Sequence, residues 1–447
     1  MAVDEAATPL LPGGPDDPRL GTCGNLLLNV LPVTTFGYLI SVFSVTLALW
    51  TAQWGGVSSL NGAALDSTAL LGAVGGMAYF GVQADAGECS ATNLAAGAAL
   101  HCAAFSIACA VLPTDAVRTT VETSVFTTWG GWALMLCRIG AGFGGGGIYT
   151  LAASLESRRH TPVAVGLAST GVILGQCVLY LVGYLLLLVF GLDDAGLQWR
   201  CIFAFGGLMA LVCAGRYYAM ADTGRRRNQQ ARHEMLRVLE EAGVLTSCQL
   251  NGLAWFLQNF ANYGVSLVYP FVLDEALPGL SIRNTFGVSF LVSCGAFAAC
   301  CSSLWFLQRN PDDPSKAVLE SFTATLVTAG VAIGIVLILE DTTSRFVACV
   351  LIRVVVGLPS ATLYAYPVSV APPEVAAAAH GLVASMSKAG AVLGTLAFYP
   401  IYDAVGFLAL VWVTSGILVL AFGAAVLAYV SLKARGASLE QRSAYAK

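Results

Sequence analysis

The sequence predicts an all-α membrane protein: twelve transmembrane helices arranged as two six-helix halves. Three observations carry this. The 447 residues are 57% hydrophobic and only 11% charged, where a soluble domain has about 25% charged residues. Mean hydropathy is +0.75, and apolar runs of about 18 residues or more recur along the chain, each long enough to cross ~30 Å of hydrocarbon. A stretch of the first half also returns in the second at a fixed offset.

The elements follow in order. MAVDEAATPLLPGGPDDPRLG lacks the basic-then-apolar order of a signal peptide. Residues 1–24 read as a disordered cytoplasmic tail, in which TPLLP lies one residue off the spacing of an acidic-dileucine signal. Apolar segments at 28–50, 66–84, 91–112, 128–155, 163–190 and 199–221 fill a first half, 25–221. The polar stretch 222–248 is a linker, where Met235, Val238, Leu239 and Ala242 recur at helical spacing and predict an amphipathic helix under the bundle. Segments at 249–272, 286–308, 318–339, 344–370, 379–402 and 406–432 fill a second half, 249–432, followed by a tail, 433–447. Cations gather after the fourth, sixth, eighth and twelfth segments: Arg158 and Arg159; Arg225, Arg226, Arg227, Arg232 and Arg237; Arg309 and Lys316; Lys433, Arg435 and Arg442. The positive-inside rule predicts that both termini are cytoplasmic.

Several function classes are disfavoured. A net charge of −4 without a basic tract offers nucleic acid no footing. The 13 Cys lie mostly inside apolar runs, which predicts packing residues rather than disulfides or a metal site. No nucleophile–base pair or ligand set marks an enzyme or a cofactor.

The halves are related by duplication. LCRIGAGFGGGGIY (136–149) aligns without a gap on LIRVVVGLPSATLY (351–364), matching Arg138 to Arg353, Gly142 to Gly357 and Tyr149 to Tyr364 at an offset of 215. The same offset carries Gly166-Leu167 onto Gly381-Leu382. Duplicated halves with a site between them are a transporter architecture.

Candidate site residues come from polarity in the wrong place. WFLQNFANYG (255–264) lies in the seventh segment, and lipid cannot satisfy its amides. Trp255, Asn259 and Tyr263 share one helix face; Gln258 and Asn262 occupy the neighbouring one. Asp66, Asp85, Glu156, Glu320, Glu340 and Asp403 fall at segment ends or in loops, whereas Arg138, Arg353 and Lys388 lie deep in segments. Deep cations without deep acids favour an anionic partner; for both arginines, pairing with backbone carbonyls or snorkelling is the alternative. GAGFGGGG (140–147) lacks the Lys-Ser/Thr ending of a phosphate loop and predicts close helix packing or close approach by a substrate. In GVQADAG (81–87), Gly81 and Asp85 form a short-loop signature. Asp85 is placed to accept from the N–H groups that open the eleventh segment, latching an inner gate.

Together RIGAGFGGGGIYTLAASLE (138–156), WRCIFAFGGLMAL (199–211), WFLQNFANYG and AAHGLVASMSKAGAVLG (378–394) resemble the phosphate:proton symporters of the major facilitator superfamily. In the seventh segment that family has Trp, then Asp four residues on, then Tyr-Gly; this chain has Trp255, Asn259 and Tyr263-Gly264. In the eleventh it has Ala-His-Gly and a Gly-Lys pair; here stand Ala379-His380-Gly381 and Ser387-Lys388. The family's first-segment Asp falls on Ser41, its fourth-segment Gly-Gly-Asp-Tyr-Pro on residues 144–148, its fifth-segment Gln near Thr170 with Gln176 two turns later, and its tenth-segment Asn on Ser360.

The resemblance implies the major facilitator fold and a central cavity in which Lys388 supplies charge and Trp255, Asn259, Tyr263 and Ser360 supply hydrogen bonds and shape. Tyr38, Ser41 and Gln176 are further candidates, beside Arg138 and Arg353. The implied substrate is inorganic phosphate or another small organophosphate or anion. Proton coupling is expected to be weak or absent, because the family's carboxylate positions hold Ser41, Gly146 and Asn259. A sugar-like neutral solute, with Lys388 paired internally, and a non-transporting sensor or scaffold stay open. The expected setting is a monomer in the plasma membrane or an endolysosomal or vacuolar membrane.

Overall fold

The computed structural model describes residues 22–55, 58–87, 89–157, 161–192, 194–220, 229–277, 279–339 and 342–445. The TPLLP motif and Arg158, Arg159, Arg225, Arg226 and Arg227, which contributed to the expected orientation, lie outside them. Every element among the described residues is an α-helix. The first half contains α1 (Thr22–Trp54), α2 (Ser59–Ala86), α3 (Ala91–Ala110), a short α4 (Thr114–Glu122), α5 (Trp129–Ser157), α6 (Pro162–Phe190) and α7 (Ala195–Ala219). The linker helix is α8 (Gln229–Ala242), with Leu239 fully buried. The second half contains α9 (Leu245–Ala276), α10 (Ile282–Ser302), α11 (Leu304–Arg309), α12 (Pro314–Leu339), α13 (Thr342–Val356), α14 (Ser360–Val370) and α15 (Ala376–Tyr445).

Ten stretches among the described residues are long and apolar enough to cross a membrane. The other two crossings are α5 and α9, as long as the rest but diluted by glycines in one and by amides in the other. Several boundaries differ from the sequence reading, among them those of α1, which starts at Thr22 inside the expected 1–24 tail, and α2, which starts at Ser59 rather than at 66. The second half begins at Leu245, before the expected residue 249. The last two crossings form one element, α15, interrupted by non-helical Gly406 with φ of 73°, a backbone state open to glycine. Residues 433–445, expected as a tail, continue that helix.

The tenth crossing breaks between α13 and α14, where Gly357-Leu358-Pro359 sits. Proline lacks an N–H and disfavours helical backbone at the residue before it. The Ser360 N–H turns to the Gly357 carbonyl, so the Val356 carbonyl loses its helical donor. Gln258 Nε2 supplies one at 2.6 Å. A buried backbone group at membrane depth must be satisfied by protein, which gives this amide of WFLQNFANYG a structural task.

Within the first half, α2 and α3 pack on α5. A Cβ on Gly142 would collide with the Ala69 carbonyl of α2, and one on Gly144 would come 2.5 Å from the Ala98 carbonyl of α3. GAGFGGGG is therefore a packing seam. The halves meet where α2 packs on α15 and α6 on α10. Gly166 and Gly381, equivalent in the duplication, sit at this boundary: a Cβ on Gly166 would lie 2.5 Å from Leu307, and one on Gly381 would strike the Met77 carbonyl.

Candidate functional site

At the end of the bundle that carries α8, α2 closes on α15. Asp85 Oδ2 accepts from the Ala378 N–H at 2.6 Å, one of the donors that a helix leaves unsatisfied in its first turn. The negative charge also faces the positive end of the α15 dipole. A Cβ on Gly81 would come 2.7 Å from the Ala377 carbonyl, so the two backbones touch there. Deeper in, Ser385 Oγ donates to the Val74 carbonyl at 2.9 Å.

Above this closure lies an aromatic layer drawn from both halves. Tyr149 of α5 packs edge-on against Tyr364 of α14, with centroids 4.7 Å apart, and the Tyr364 hydroxyl donates to the Tyr149 carbonyl at 2.8 Å. Trp255 stands 6.5 Å from Tyr149 and 6.2 Å from Tyr364. His380 fills the space between the rings, 4.6 Å from Tyr364, and neither of its ring nitrogens makes a hydrogen bond.

About 12 Å further along α9, eight residues at 1.5 Å each, two buried cations flank one helix. Lys388 reaches it from α15 and donates to the Tyr263 hydroxyl at 3.0 Å. Its ammonium lies 4.7 Å from the Tyr263 ring, 5.4 Å from Phe36 and 5.5 Å from Tyr149. Arg353 reaches it from α13: Nη1 donates to Asn262 Oδ1 at 3.2 Å and Nη2 to Gln176 Oε1 at 2.6 Å. Gln176 Nε2 in turn donates to Ser41 Oγ at 3.2 Å. This chain of bonds joins α13 and α9 of one half to α6 and α1 of the other. Lys388 is 2% exposed and Arg353 5%, and among the described residues no carboxylate forms an ion pair with either. A charge at the centre of a membrane helix costs roughly 2.5–3.5 kcal/mol on insertion scales. Cation–π contacts offset part of it, at ~0.5–2 kcal/mol each.

The predicted site residues separate into groups. Lys388, Tyr263, Trp255, Arg353, Gln176 and Ser41 converge at the boundary between the halves. Asn259 donates to Ser387 Oγ at 3.0 Å, directly beside Lys388. Ser360 lies on the other face of α9, 3.4 Å from Gln258 Nε2. Two expectations need correction. The Tyr38 hydroxyl donates to the Ile202 carbonyl at 2.9 Å inside the first half. Arg138 Nε donates to the Leu65 carbonyl and to Thr68 Oγ1 at 3.1 and 3.3 Å, with Phe43 and Phe203 against its guanidinium at 5.0 and 6.0 Å. Both make their hydrogen bonds within their own half, and Arg138 borders a small space there, lined also by Phe36, Ser106 and Gly142.

Sequence reasoning missed Asp66. Its apolar segment starts at that residue, yet α2 begins at Ser59, which puts Asp66 two turns inside the helix. It is buried, with Oδ1 unpaired, near the equally unpaired Arg138 Nη2. The hydrogen-bonding run SSLNGA before it conceals the helix start, which the Ser58 cap on Asn61 fixes. Phe36, Tyr149, Tyr364 and Asn262 were likewise not singled out as site residues, since ordinary aromatic and amide positions carry no signal of convergence.

The comparisons agree with this architecture. A family model described as the Major Facilitator Superfamily matches residues 30–395. Among solved structures, a human organic anion transporter, MFSD10 (TETRAN), superposes with a TM-score of 0.61 at 15% identity, covering 89% of this chain and 99% of its own. The proton:xylose symporter XylE bound to 6-bromo-6-deoxy-D-glucose gives 0.66 at 14% identity, covering 89% and 93%. A D-xylose–proton symporter gives 0.62 at 16%, covering 89% and 95%. No curated protein sequence matches the chain. At these identities the superpositions establish the fold alone, and the family match over most of the chain supplies the rest: with two duplicated halves closing around buried cations, this chain belongs to the major facilitator superfamily of secondary transporters.

Proposed function

We propose that the protein moves a small anion, inorganic phosphate or a small organophosphate, across a membrane by alternating access, with both termini in the cytoplasm. The observation that carries the reading is Lys388: a buried ammonium between the halves, with one hydrogen bond for its three N–H groups and Arg353 on the far side of α9. An anion entering there replaces the hydration that both cations have lost. The two halves rock about the central site, and Asp85 on Ala378 with Gly81 on α15 forms the inner gate. Trp255 and Asn259 shape the cavity.

A second reading has its own observation. Lys388 already donates to Tyr263, as an internally paired lysine would in a carrier of neutral solutes, and the superposed xylose symporters handle a sugar. Flux of labelled phosphate, a panel of phosphate esters and xylose in proteoliposomes separates the two. Saturable anion flux that Lys388→Ala removes is the expected result. Xylose flux indifferent to added anions moves the conclusion to the neutral solute, and no flux of any solute moves it to a sensor or scaffold.

A further inference from the structure

The surroundings of Lys388 discriminate between kinds of anion. Inorganic phosphate offers four oxygens and is held by several converging N–H and O–H donors. Here several of the donors neighbouring Lys388 are already engaged. The Asn259 amide is committed to Ser387, the Tyr364 hydroxyl to the Tyr149 carbonyl, and two guanidinium nitrogens of Arg353 to Asn262 and Gln176. What encloses the ammonium is carbon: the rings of Tyr263, Phe36 and Tyr149 at 4.7, 5.4 and 5.5 Å. From Tyr149 the aromatic surface runs on through Trp255, Tyr364 and His380.

These rings divide between the halves. Phe36 and Tyr149 belong to the first; Tyr263, Trp255 and Tyr364 belong to the second, with Lys388 among them. In the closed state they pack on one another and are nearly fully buried. Any separation of the halves at this level opens two aromatic faces toward each other, with a cation at their edge. A planar ring between them restores the lost contacts, since aromatic groups favour offset and edge-to-face pairing at about 4.5–7 Å. A bare inorganic anion answers the ammonium but leaves both faces wet.

We propose that the site takes an organic anion with a carboxylate or phosphate-ester head on Lys388 and a planar aromatic body between the Phe36–Tyr149 and Trp255–Tyr263 faces, in preference to free inorganic phosphate. This rests on the anion reading of the cavity and narrows its substrate class.

The test is calorimetric titration of the purified full chain with matched ligands: phenyl phosphate against methyl phosphate and inorganic phosphate, and benzoate against acetate. The aromatic member of each set is expected to bind at least about tenfold more tightly, as one good ring contact allows. Lys388→Ala weakens every ligand. Tyr149→Leu, or Phe36→Leu if the first variant does not fold, brings the aromatic preference, taken as the ratio of phenyl phosphate to methyl phosphate affinity, below about threefold. Inorganic or methyl phosphate binding as tightly as phenyl phosphate overturns this inference and leaves the anion reading standing. Binding of every anion at undiminished affinity to folded Lys388→Ala, or of none to the wild type, overturns both.

Discussion

Tyr364 donates its hydroxyl to the backbone carbonyl of Tyr149, 215 residues away, and 215 is the offset of the internal duplication. Equivalent residues of two halves related by a rotation can touch only close to the rotation axis. The pair therefore marks where the pseudo-symmetry axis passes through the molecule, on the linker side of Lys388. Tyr364→Phe removes a cross-half bond contributing about 0.5–1.5 kcal/mol. It is expected to raise the population open at the α8 end roughly two- to tenfold, read from spin-label distances between the adjacent ends of α2 and α15. An unchanged distance distribution contradicts a role for this bond in holding the halves closed.

Asp85 caps the first turn of α15 from the opposite half. Asp85→Ala loses a charge-assisted hydrogen bond and a favourable helix-dipole contact, together about 1–3 kcal/mol. Hydrogen exchange at residues 376–381 is expected to speed up accordingly. Asp85→Asn, which keeps an acceptor without the charge, is expected to fall between the two, and protection equal to wild type in the Ala variant removes the latch from the mechanism.

Lys388→Ala is expected to weaken anion binding by roughly a hundredfold or more, the scale found when one member of a buried charge pair is deleted. Lys388→Arg should retain a fraction, since the charge stays while shape and hydration change. The check is equilibrium binding on protein that elutes as a single folded species.

Arg138 and Arg353 are equivalent in sequence yet differ in task. Arg138→Met strips donors from the Leu65 carbonyl and Thr68, so it should lower stability by about 1–3 kcal/mol and leave anion affinity within error. Arg353→Met should lower affinity at least about tenfold. Thermal unfolding and titration of both variants separate the roles, and equal loss of affinity in the two contradicts the assignment.

Proton coupling is expected to be weak or absent, since Ser41, Gly146 and Asn259 cannot titrate near neutral pH. The measurement is accumulation in sealed proteoliposomes under an imposed proton gradient with the membrane potential clamped. Accumulation that a protonophore collapses would refute the expectation. Asp66→Asn then becomes the decisive variant, because Asp66 is a buried carboxylate that the sequence alone did not reveal. Asn259→Asp creating such coupling would mark Asn259 as the site of a lost proton carrier.

Composition and apolar run length determined the helical class and the twelve crossings by themselves, because spanning hydrocarbon demands about 20 apolar residues with every backbone group bonded inside the segment. The duplication was legible too, as were the depth of Lys388 and the faces of α9, because a charge or an amide in an apolar run must find a partner inside the protein. Direction was not legible. Arg138 and Arg353 look alike in sequence, but only packing shows that one turns into its own half and the other reaches Gln176 across the boundary. Helix spacing says which residues share a face, and the tertiary structure decides what that face meets. It turned Gln258 to the broken α13–α14 crossing, buried Asp66 beside Arg138, and gathered Phe36, Tyr149 and Tyr263 around Lys388 from three different helices. Convergence of that kind depends on contacts between residues far apart in the chain, which local hydropathy does not encode.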